Sequence, residues 1–330
     1  MSVFAAAAVA SACLYGLVSG FNDGGNLLAS FTSGRVISPR LAVVLLLAAL
    51  AGPLLVGYAV ATTVGVNVID LRGQGPLGFT ALTAAAVAVV LLSWRVGIPT
   101  SMTLALVGAM IGWELAGDGK AAIHWPGLAR VVIGMPVSVL AGGFLALLLY
   151  AAVRRGFGGM PHASLLRFSR LQFATAAFQS LAYGANDLEK TIGLLVVALA
   201  FSSHDHSLTF SNWVLTLVAF GLFVIGAVAG GPRVARRVGM GVVRVRPIQA
   251  LAQQFASGGV VAILAVAGAP VSMTQTIDAG LVGAGTAVRA SGIRWGIVRQ
   301  MLASWLATLP AALVLSALVH LSLRVVGLAR

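Results

Sequence analysis

The chain is built from apolar segments that are each long enough to cross a lipid bilayer. A crossing takes about 20 predominantly apolar residues in helical form, and segments of this kind recur from residue 3 to residue 323. Inside a bilayer every backbone N–H and C=O group must find its partner within the protein, and a helix meets that demand within one segment. The hydropathy pattern therefore predicts an all-α polytopic membrane protein.

Composition agrees with this class and limits the partners. Hydrophobic residues make up 59% of the chain and charged residues only 9%, whereas a soluble domain carries about 25% charged residues. The net charge of +13 comes from arginines that lie between apolar segments, which is typical of cytoplasmic loops rather than of a nucleic-acid-binding face. We expect a lipid bilayer as partner, no nucleic acid and, since Cys13 is the only cysteine, no multi-cysteine metal site.

Two motifs each occur twice along the chain, in the same order. Gly20-Phe-Asn-Asp23 recurs in the second half as Gly184-Ala-Asn-Asp187, and Pro99–Thr103 recurs there as Pro270–Thr274. Repetition of two motifs in one order, with nearly the same separation between them, indicates an internal duplication far more strongly than either motif alone.

The arginine-rich segments predict the boundaries and the orientation of the two repeats. Segments 154–170 and 233–246 are rich in arginine and are separated by two spans, so both can be cytoplasmic. The first-half counterpart of the second segment is the loop 67–76, which holds one Arg and one Asp. This asymmetry predicts an inverted-topology repeat in a bacterial-type plasma membrane. We predict a first membrane repeat over 1–153, a basic cytoplasmic linker over 154–170 and a second membrane repeat over 171–330.

The Asn-Asp motifs place ionisable side chains inside apolar segments. Such residues are costly at membrane depth and mark ion or substrate pathways, and a short polar run with Gly is typical of a broken helix at a transporter's binding site. Their carboxylate and amide oxygens suit a hard cation such as sodium, whereas a protonated aspartate would serve proton coupling instead. Hydrogen bonding between helices is the alternative role.

The Pro-x-Ser-Met-Thr motifs have the pattern of helix N-termini. Proline is favoured in the first turn of a helix, and the free N–H groups and partial positive charge there attract anions. Hydroxyl groups of Ser101, Thr103, Ser272 and Thr274 add donors, so two such ends meeting at the midplane would hold a tetrahedral oxyanion. Helix capping and hydrogen bonding between helices are the alternative.

The paired motifs resemble the signatures of the inorganic phosphate transporter (PiT) family, approximately Gly-Ala-Asn-Asp-Val-Ala-Asn-Ala and Gly-Leu-Pro-Val-Ser-Thr-Thr-His. The likeness covers nearly the whole chain and extends to Trp305–Pro310. It implies a secondary phosphate transporter, coupled to sodium or protons, that works by alternating access. It also implies two inverted repeats with broken helices, and short helical segments meeting at a midplane site.

The candidate site residues follow by position. Substrate contact is expected at Ser101, Thr103, Ser272, Thr274, Asn22 and Asn186, and coupling-ion or charge-compensating roles at Asp23, Asn26, Asp187, Glu189, Lys190 and Asp278. No cofactor is expected apart from sodium ions, and no metal site beyond sodium at Asp23 and Asp187.

The chain departs from the family pattern at several positions. The second asparagine of the first signature is kept at Asn26 but becomes Lys190 in the second copy, and both signature histidines are missing. Glu189 and Asp278 are additional acids. Our hypothesis is that the Lys190 ammonium occupies, or lies beside, the place of one coupling cation and pairs with Asp187, Glu189 or Asp278; snorkelling to a headgroup is the alternative.

Other functions stay open at this stage. Sulfate or another tetrahedral oxyanion is the main alternative substrate, because its geometry barely differs from that of phosphate. A membrane-embedded enzyme is a distant alternative, since the eight acids are scattered rather than clustered around a metal; we predict that the chain is not an enzyme. A channel and a homodimer are not excluded by the sequence. The segment His204-Asp-His206 is interpreted as a solvated loop.

Overall fold

The structure is a computed structural model that describes most of the chain. It covers residues 2–95, 100–117, 123–157, 170–202, 209–238 and 245–328, and for residue 157 and residues 231–238 it describes the backbone alone. Within these ranges the elements are helices, and the only extended pairing is an isolated bridge between Ile69 and Ile123. Segment 203–208, with the predicted solvated loop, lies outside the described residues, as does Pro99 of the first Pro-x-Ser-Met-Thr motif.

Fourteen α-helices follow one another in the described residues. They are α1 (Val3–Ser19), α2 (Gly25–Ser33), α3 (Pro39–Leu45), α4 (Ala51–Val56), α5 (Ala59–Thr62), α6 (Gly75–Arg95), α7 (Met102–Ala116), α8 (Trp125–Phe157), α9 (Gln172–Tyr183), α10 (Glu189–Ala200), α11 (Trp213–Val238), α12 (Pro247–Val266), α13 (Met273–Arg289) and α14 (Trp295–Val325). Shorter helical turns connect several of them: π-helical turns at Gly20–Gly24, Thr63–Asn67 and Gly184–Leu188, and 3₁₀ turns at Leu46–Leu50 and Ala290–Gly292.

Seven helical segments of the described chain are long and apolar enough to span a membrane. They are Val3–Ser33, Pro39–Val56, Gly75–Arg95, Trp125–Gly156, Trp213–Gly230, Pro247–Val266 and Trp295–Val325. The prediction of an all-α polytopic membrane protein is therefore confirmed.

The Asn-Asp motifs interrupt their helices with a local change of helical geometry. Each forms a single π-helical turn, Gly20–Gly24 between α1 and α2 and Gly184–Leu188 between α9 and α10. The backbone stays helical through Gly20, at φ −57° and ψ −45°. A π turn carries one residue more than an α turn, so it re-aims the motif side chains without freeing a stretch of carbonyls.

The two motif-bearing helices run in opposite directions. Gln172 at the start of α9 donates to Phe31 O near the end of α2, at 3.1 Å. Further along, Ser19 Oγ lies 3.3 Å from the Tyr183 hydroxyl, and a Cβ built on Gly16 would lie 2.8 Å from Thr191. Residue numbers fall on one helix as they rise on the other, so the repeats are inverted, as predicted.

Many arginines lie at the end of the bundle where α2 finishes and α9 begins. We call it the arginine-rich end: Arg35, Arg40, Arg154, Arg155, Arg170 and Arg289. The end of α8 belongs to it because Tyr150 packs with Ala252 of α12 and Ala284 of α13. An excess of arginine marks the cytoplasmic side. Within the predicted cytoplasmic segments 154–170 and 233–246, residues 158–169 and 239–244 lie outside the described residues.

The short helices α7 and α13 begin side by side and run to opposite ends of the bundle. Their N-cap residues are Ser101 and Ser272, whose hydroxyl oxygens lie 3.0 Å apart. Helix α13 reaches the arginine-rich end at Arg289. Helix α7 reaches the other end, where Trp113 Nε1 donates to Gln74 in the loop ahead of α6. That loop lies at the end where α1 begins, because α6 runs parallel to α1. Short helical segments thus meet head to head inside the bundle.

Two contacts join residues that occupy the same position in each repeat. The Ser101–Ser272 contact has the sequence offset of the Pro-x-Ser-Met-Thr motifs, and the Ser19–Tyr183 contact has the offset of the Asn-Asp motifs. A residue meets its own counterpart only at a two-fold axis. The pseudo-symmetry axis of the inverted repeat therefore passes close to both contacts.

Candidate functional site

Two serine side chains cap the helices that meet at the centre. Ser101 Oγ accepts from Leu104 N at 3.3 Å, and Ser272 Oγ accepts from Gln275 N at 3.4 Å. The first-turn N–H groups of α7 and α13 therefore converge on one region, which we call the cradle. Each helix contributes partial positive charge there, so the cradle favours an anion.

The two motif asparagines hydrogen-bond to the backbone segments that precede α7 and α13. Asn22 Nδ2 donates to Thr100 O at 3.1 Å. In the second repeat Asn186 Nδ2 donates to Ala269 O at 2.9 Å, and Asn186 Oδ1 accepts from Val271 N at 3.1 Å. In this arrangement both amides are engaged with backbone, so they position the helix N-termini.

The first-repeat carboxylate binds the threonine of the opposite repeat directly. Asp23 Oδ1 accepts from Thr274 Oγ1 at 2.7 Å and from Asn22 Nδ2 at 2.8 Å, and Asp23 Oδ2 accepts from Ser19 Oγ at 3.2 Å. Asn26 Nδ2 donates to the same threonine at 3.3 Å, while buried Asn26 Oδ1 has no hydrogen-bond partner among the described residues. Carboxylate, hydroxyl and amide oxygens thus gather here without a cationic side chain, a set that fits a sodium ion.

The second repeat has a lysine in the corresponding place. Lys190 Nζ lies 2.7 Å from Asp187 Oδ1 and donates to Thr103 Oγ1 at 2.6 Å and to Val271 O. The side chain is 1% exposed, so it does not snorkel to a headgroup. Three oxygens around one ammonium are the kind of ligands that a hard cation takes, and the second repeat therefore does not fit a sodium ion at this point.

The two halves are equivalent in position and different in charge. Asn26 and Lys190 occupy the same position of the duplicated motif, and each donates to a threonine of the other repeat, Thr274 and Thr103 respectively. The Asn26 side is neutral at that position. On the Lys190 side, the carboxylate and the threonine are bridged by a positive charge.

Glu189 hydrogen-bonds to backbone N–H groups at the start of α5. Its Oε2 accepts from Val60 N at 2.9 Å and from Ala61 N at 3.1 Å. These are the first N–H groups of α5, which follows Gly57 with its positive φ of 95°. The carboxylate therefore caps a helix N-terminus, a favourable place for negative charge, and its described hydrogen bonds do not include Lys190.

Asp278 is a buried acid of α13. Its side chain is 1% exposed, and neither carboxyl oxygen has a hydrogen-bond partner among the described residues. Residues four apart share a helix face, so Asp278 lies one turn beyond Thr274 on the face that meets α2.

All the candidate residues are enclosed. None of the twelve is more than 6% exposed. The arrangement is thus occluded, and a ligand in the cradle would be out of contact with either aqueous side. Among the described residues no group of three His, Cys, Asp or Glu side chains could hold a metal ion.

Some residues at the cradle were missed by the sequence reasoning. Ser19 and Tyr183 precede the motif glycines in the two repeats and contact each other, and Thr100 Oγ1 lies 2.5 Å from Thr308 Oγ1. The polar residue ahead of each motif glycine was a usable signal for the first pair. Thr308, which is distant from Thr100 along the chain, offered none.

Comparison with known proteins agrees with the geometry. The profile of the phosphate transporter family matches residues 19–160 and again residues 160–316. A probable low-affinity inorganic phosphate transporter of Rhizobium meliloti (strain 1021) is 32% identical over 318 residues, covering 94% of each chain. A protein of the same description from Bacillus subtilis (strain 168) is 28% identical over 322 residues, covering 96% of each chain.

One solved structure shares the fold. It is described as the sodium-dependent phosphate transporter, superposes with a TM-score of 0.83 at 18% identity, and is matched over 98% of this chain and 100% of its own. The homologues are named as transporters and not as enzymes, which agrees with the prediction of no enzymatic activity. Because the family profile matches two consecutive segments that together cover most of the chain, the chain belongs to the phosphate transporter family.

Proposed function

We propose that this chain carries inorganic phosphate across the membrane by cation-coupled secondary transport, with alternating access to one central site. The observation that carries the proposal is the head-to-head meeting of α7 and α13 at Ser101 and Ser272. Two converging helix N-termini supply N–H donors and partial positive charge to an oxyanion. Binding relies on dipoles and hydroxyls, so release does not require breaking a bidentate arginine contact.

A buried acceptor near the cradle favours phosphate over sulfate. Asn26 Oδ1 has no hydrogen-bond partner among the described residues. Hydrogen phosphate carries an O–H that donates to such an oxygen, whereas sulfate has no proton to donate. A site with buried acceptors discriminates against the ligand that leaves them unpaired.

The inverted symmetry supports alternating access. Equivalent elements of opposite orientation line the cradle, so exchanging the conformations of the two repeats would exchange the side that is open. The occluded arrangement is the intermediate that such a cycle passes through.

The position of Lys190 supports the proposal that fewer coupling cations are needed by this chain than by a transporter with two neutral half-sites. Its ammonium takes a hydroxyl, a carboxylate oxygen and a carbonyl as ligands, so we assign to it the role of one coupling cation in the second repeat. The first repeat keeps the neutral set around Asp23, which accommodates sodium. Sodium dependence should accordingly be weak, because half of the duplicated site supplies its own positive charge.

Uptake into proteoliposomes tests the proposal. Labelled phosphate and labelled sulfate are offered with sodium and proton gradients imposed separately. We expect saturable phosphate uptake, weak competition by sulfate and substantial uptake without sodium. Gradient-independent, non-saturable flux would instead identify a channel. A strict sodium requirement that persists unchanged in Lys190→Ala would contradict the role assigned to Lys190, whereas preferred sulfate uptake would contradict the substrate.

A further inference from the structure

Asp278 is the one candidate acid for which the described residues provide no hydrogen-bond donor. Asp23, Asp187 and Glu189 each accept hydrogen bonds from named groups. Asp278 is as deeply buried as they are, and both of its oxygens lack a partner among the described residues. A carboxylate in that state would be an uncompensated charge within a low-dielectric interior.

The helices packed on α13 offer no cation to Asp278. Neither α2 nor α12 contains a charged residue. The charged residues of α8 are Arg130, Arg154 and Arg155, and all three are exposed. Helix α14 packs through Ile297 and Val298 and carries exposed Arg299 and Arg324 and, near its far end, His320. In the π turn ahead of α2, the titratable group is Asp23, already bound by Thr274.

Asp278 lies next to the cradle, on the cytoplasmic side of the cradle. Helices α2 and α13 run in the same direction from their contact at Asn26 and Thr274. Ser30 of α2 donates to Gln253 at 2.8 Å, and a Cβ on Gly280 of α13 would lie 3.0 Å from the same glutamine. Asp278 therefore lies between the threonine that binds Asp23 and the buried amide of Gln253, which is toward the arginine-rich end.

We infer that Asp278 binds a proton when the site closes over phosphate and that this proton is one coupling ion of the transport cycle. The inference rests on the proposed function. A charged carboxyl beside the negative charge of bound phosphate is not compatible with closed surroundings, so the chain closes over phosphate only after Asp278 has taken up a proton from the outer solution. Opening toward the cytoplasm hydrates the carboxyl, which then releases its proton. The empty site holds no phosphate and returns with the carboxyl deprotonated. Proton binding and closure are linked because the protonated carboxyl favours the occluded conformation over the conformation that is open to the cytoplasm.

The experiment compares two modes of transport in proteoliposomes containing Asp278→Asn. Asparagine has nearly the shape of a protonated aspartate and cannot release a proton. We expect the variant to retain exchange of labelled for unlabelled phosphate at equal pH on both sides, within about tenfold of the unmodified chain. Accumulation driven by an inward proton gradient should be lost. Asp70→Asn, which alters an exposed loop acid, should retain both modes.

The outcomes separate this inference from the proposed function. Absence of phosphate exchange by the unmodified chain would contradict the function itself. Exchange together with proton-driven accumulation in Asp278→Asn would overturn only the role of Asp278. If Asp278→Asn supports neither mode, the infrared spectrum of the unmodified protein decides. A protonated-carboxyl band that shifts in Asp278→Glu supports the inference, and its absence overturns it.

Discussion

Lys190 and Thr103 belong to different repeats, and a 2.6 Å hydrogen bond from Nζ to Oγ1 joins them. The same ammonium binds Asp187 of its own repeat at 2.7 Å. One buried side chain therefore connects the carboxylate of the second repeat to the short helix α7 of the first. Its contribution to folding and its contribution to transport can be measured separately.

Replacing Lys190 by methionine should destabilise the protein strongly. The substitution keeps most of the length of the side chain and leaves Asp187 as an unpaired buried charge, which costs about 3–5 kcal/mol. Adding Asp187→Asn removes that charge, so the double variant should regain most of the free energy of unfolding while phosphate uptake stays impaired. Thermal unfolding in detergent and uptake in proteoliposomes measure the two effects. A double variant no more stable than Lys190→Met would show that the pair is not coupled.

Substitutions at Glu189 should separate capping from charge compensation. Glutamine retains an oxygen for the N–H groups of Val60 and Ala61, so Glu189→Gln should keep phosphate uptake within about twofold. Alanine leaves these buried donors unsatisfied at a cost of about 1–3 kcal/mol each, and Glu189→Ala should lower both thermal stability and uptake. The glutamine variant is the matched control. Equal losses in both variants would indicate that the negative charge, rather than the acceptor, is required.

Gly184→Ala should prevent normal packing of the second motif. A Cβ at Gly184 would lie 1.8 Å from Ala49 O, a backbone atom that cannot move without displacing its turn. We expect little folded protein by size-exclusion chromatography. Gly259→Ala is the control, because a Cβ there meets nothing within 4 Å and alanine stabilises a helix by about 1 kcal/mol relative to glycine. Normal folding of Gly184→Ala would show that the two segments are farther apart.

Ser272→Ala should weaken phosphate binding as well as the fold. The change removes the cap of α13 and its hydrogen bond with Ser101, which together cost about 0.5–2 kcal/mol of stability. If the hydroxyl also contacts the ligand, KM for phosphate rises about tenfold, which corresponds to about 1.4 kcal/mol. Ser322→Ala, an exposed serine of α14, should leave KM unchanged. An unchanged KM in Ser272→Ala would remove this serine from the substrate contacts.

The fold was predictable because its main determinants are local or repeated in the sequence. Apolar length set the spanning helices, and the recurrence of Asn-Asp and Pro-x-Ser-Met-Thr motifs indicated the duplication. The arginine asymmetry predicted inversion, which the antiparallel contacts of Phe31 with Gln172 and of Ser19 with Tyr183 confirm. Each of these signals depends on neighbouring residues or on comparison of one half with the other.

The partners within the site were less accessible to sequence reasoning. Three acids were equally plausible as partners of the Lys190 ammonium. Asp187 is the partner because it precedes Lys190 by three residues, at the point where the π turn passes into α10. Glu189, the immediate neighbour, points instead to α5, which is distant along the chain. Adjacent helix positions face different directions, so proximity in sequence did not predict pairing.

The fixed position of Lys190 has an electrical consequence. A bound ion is released with the substrate, whereas an ammonium attached to the chain returns with the carrier after each cycle. A cycle in which Lys190 takes the place of one ion moves one positive charge fewer into the cell. Each charge moved is worth about 2.3 kcal/mol per 100 mV of membrane potential. Under the role proposed for Lys190, uptake would therefore draw less on voltage and correspondingly more on the chemical gradients of the remaining ions.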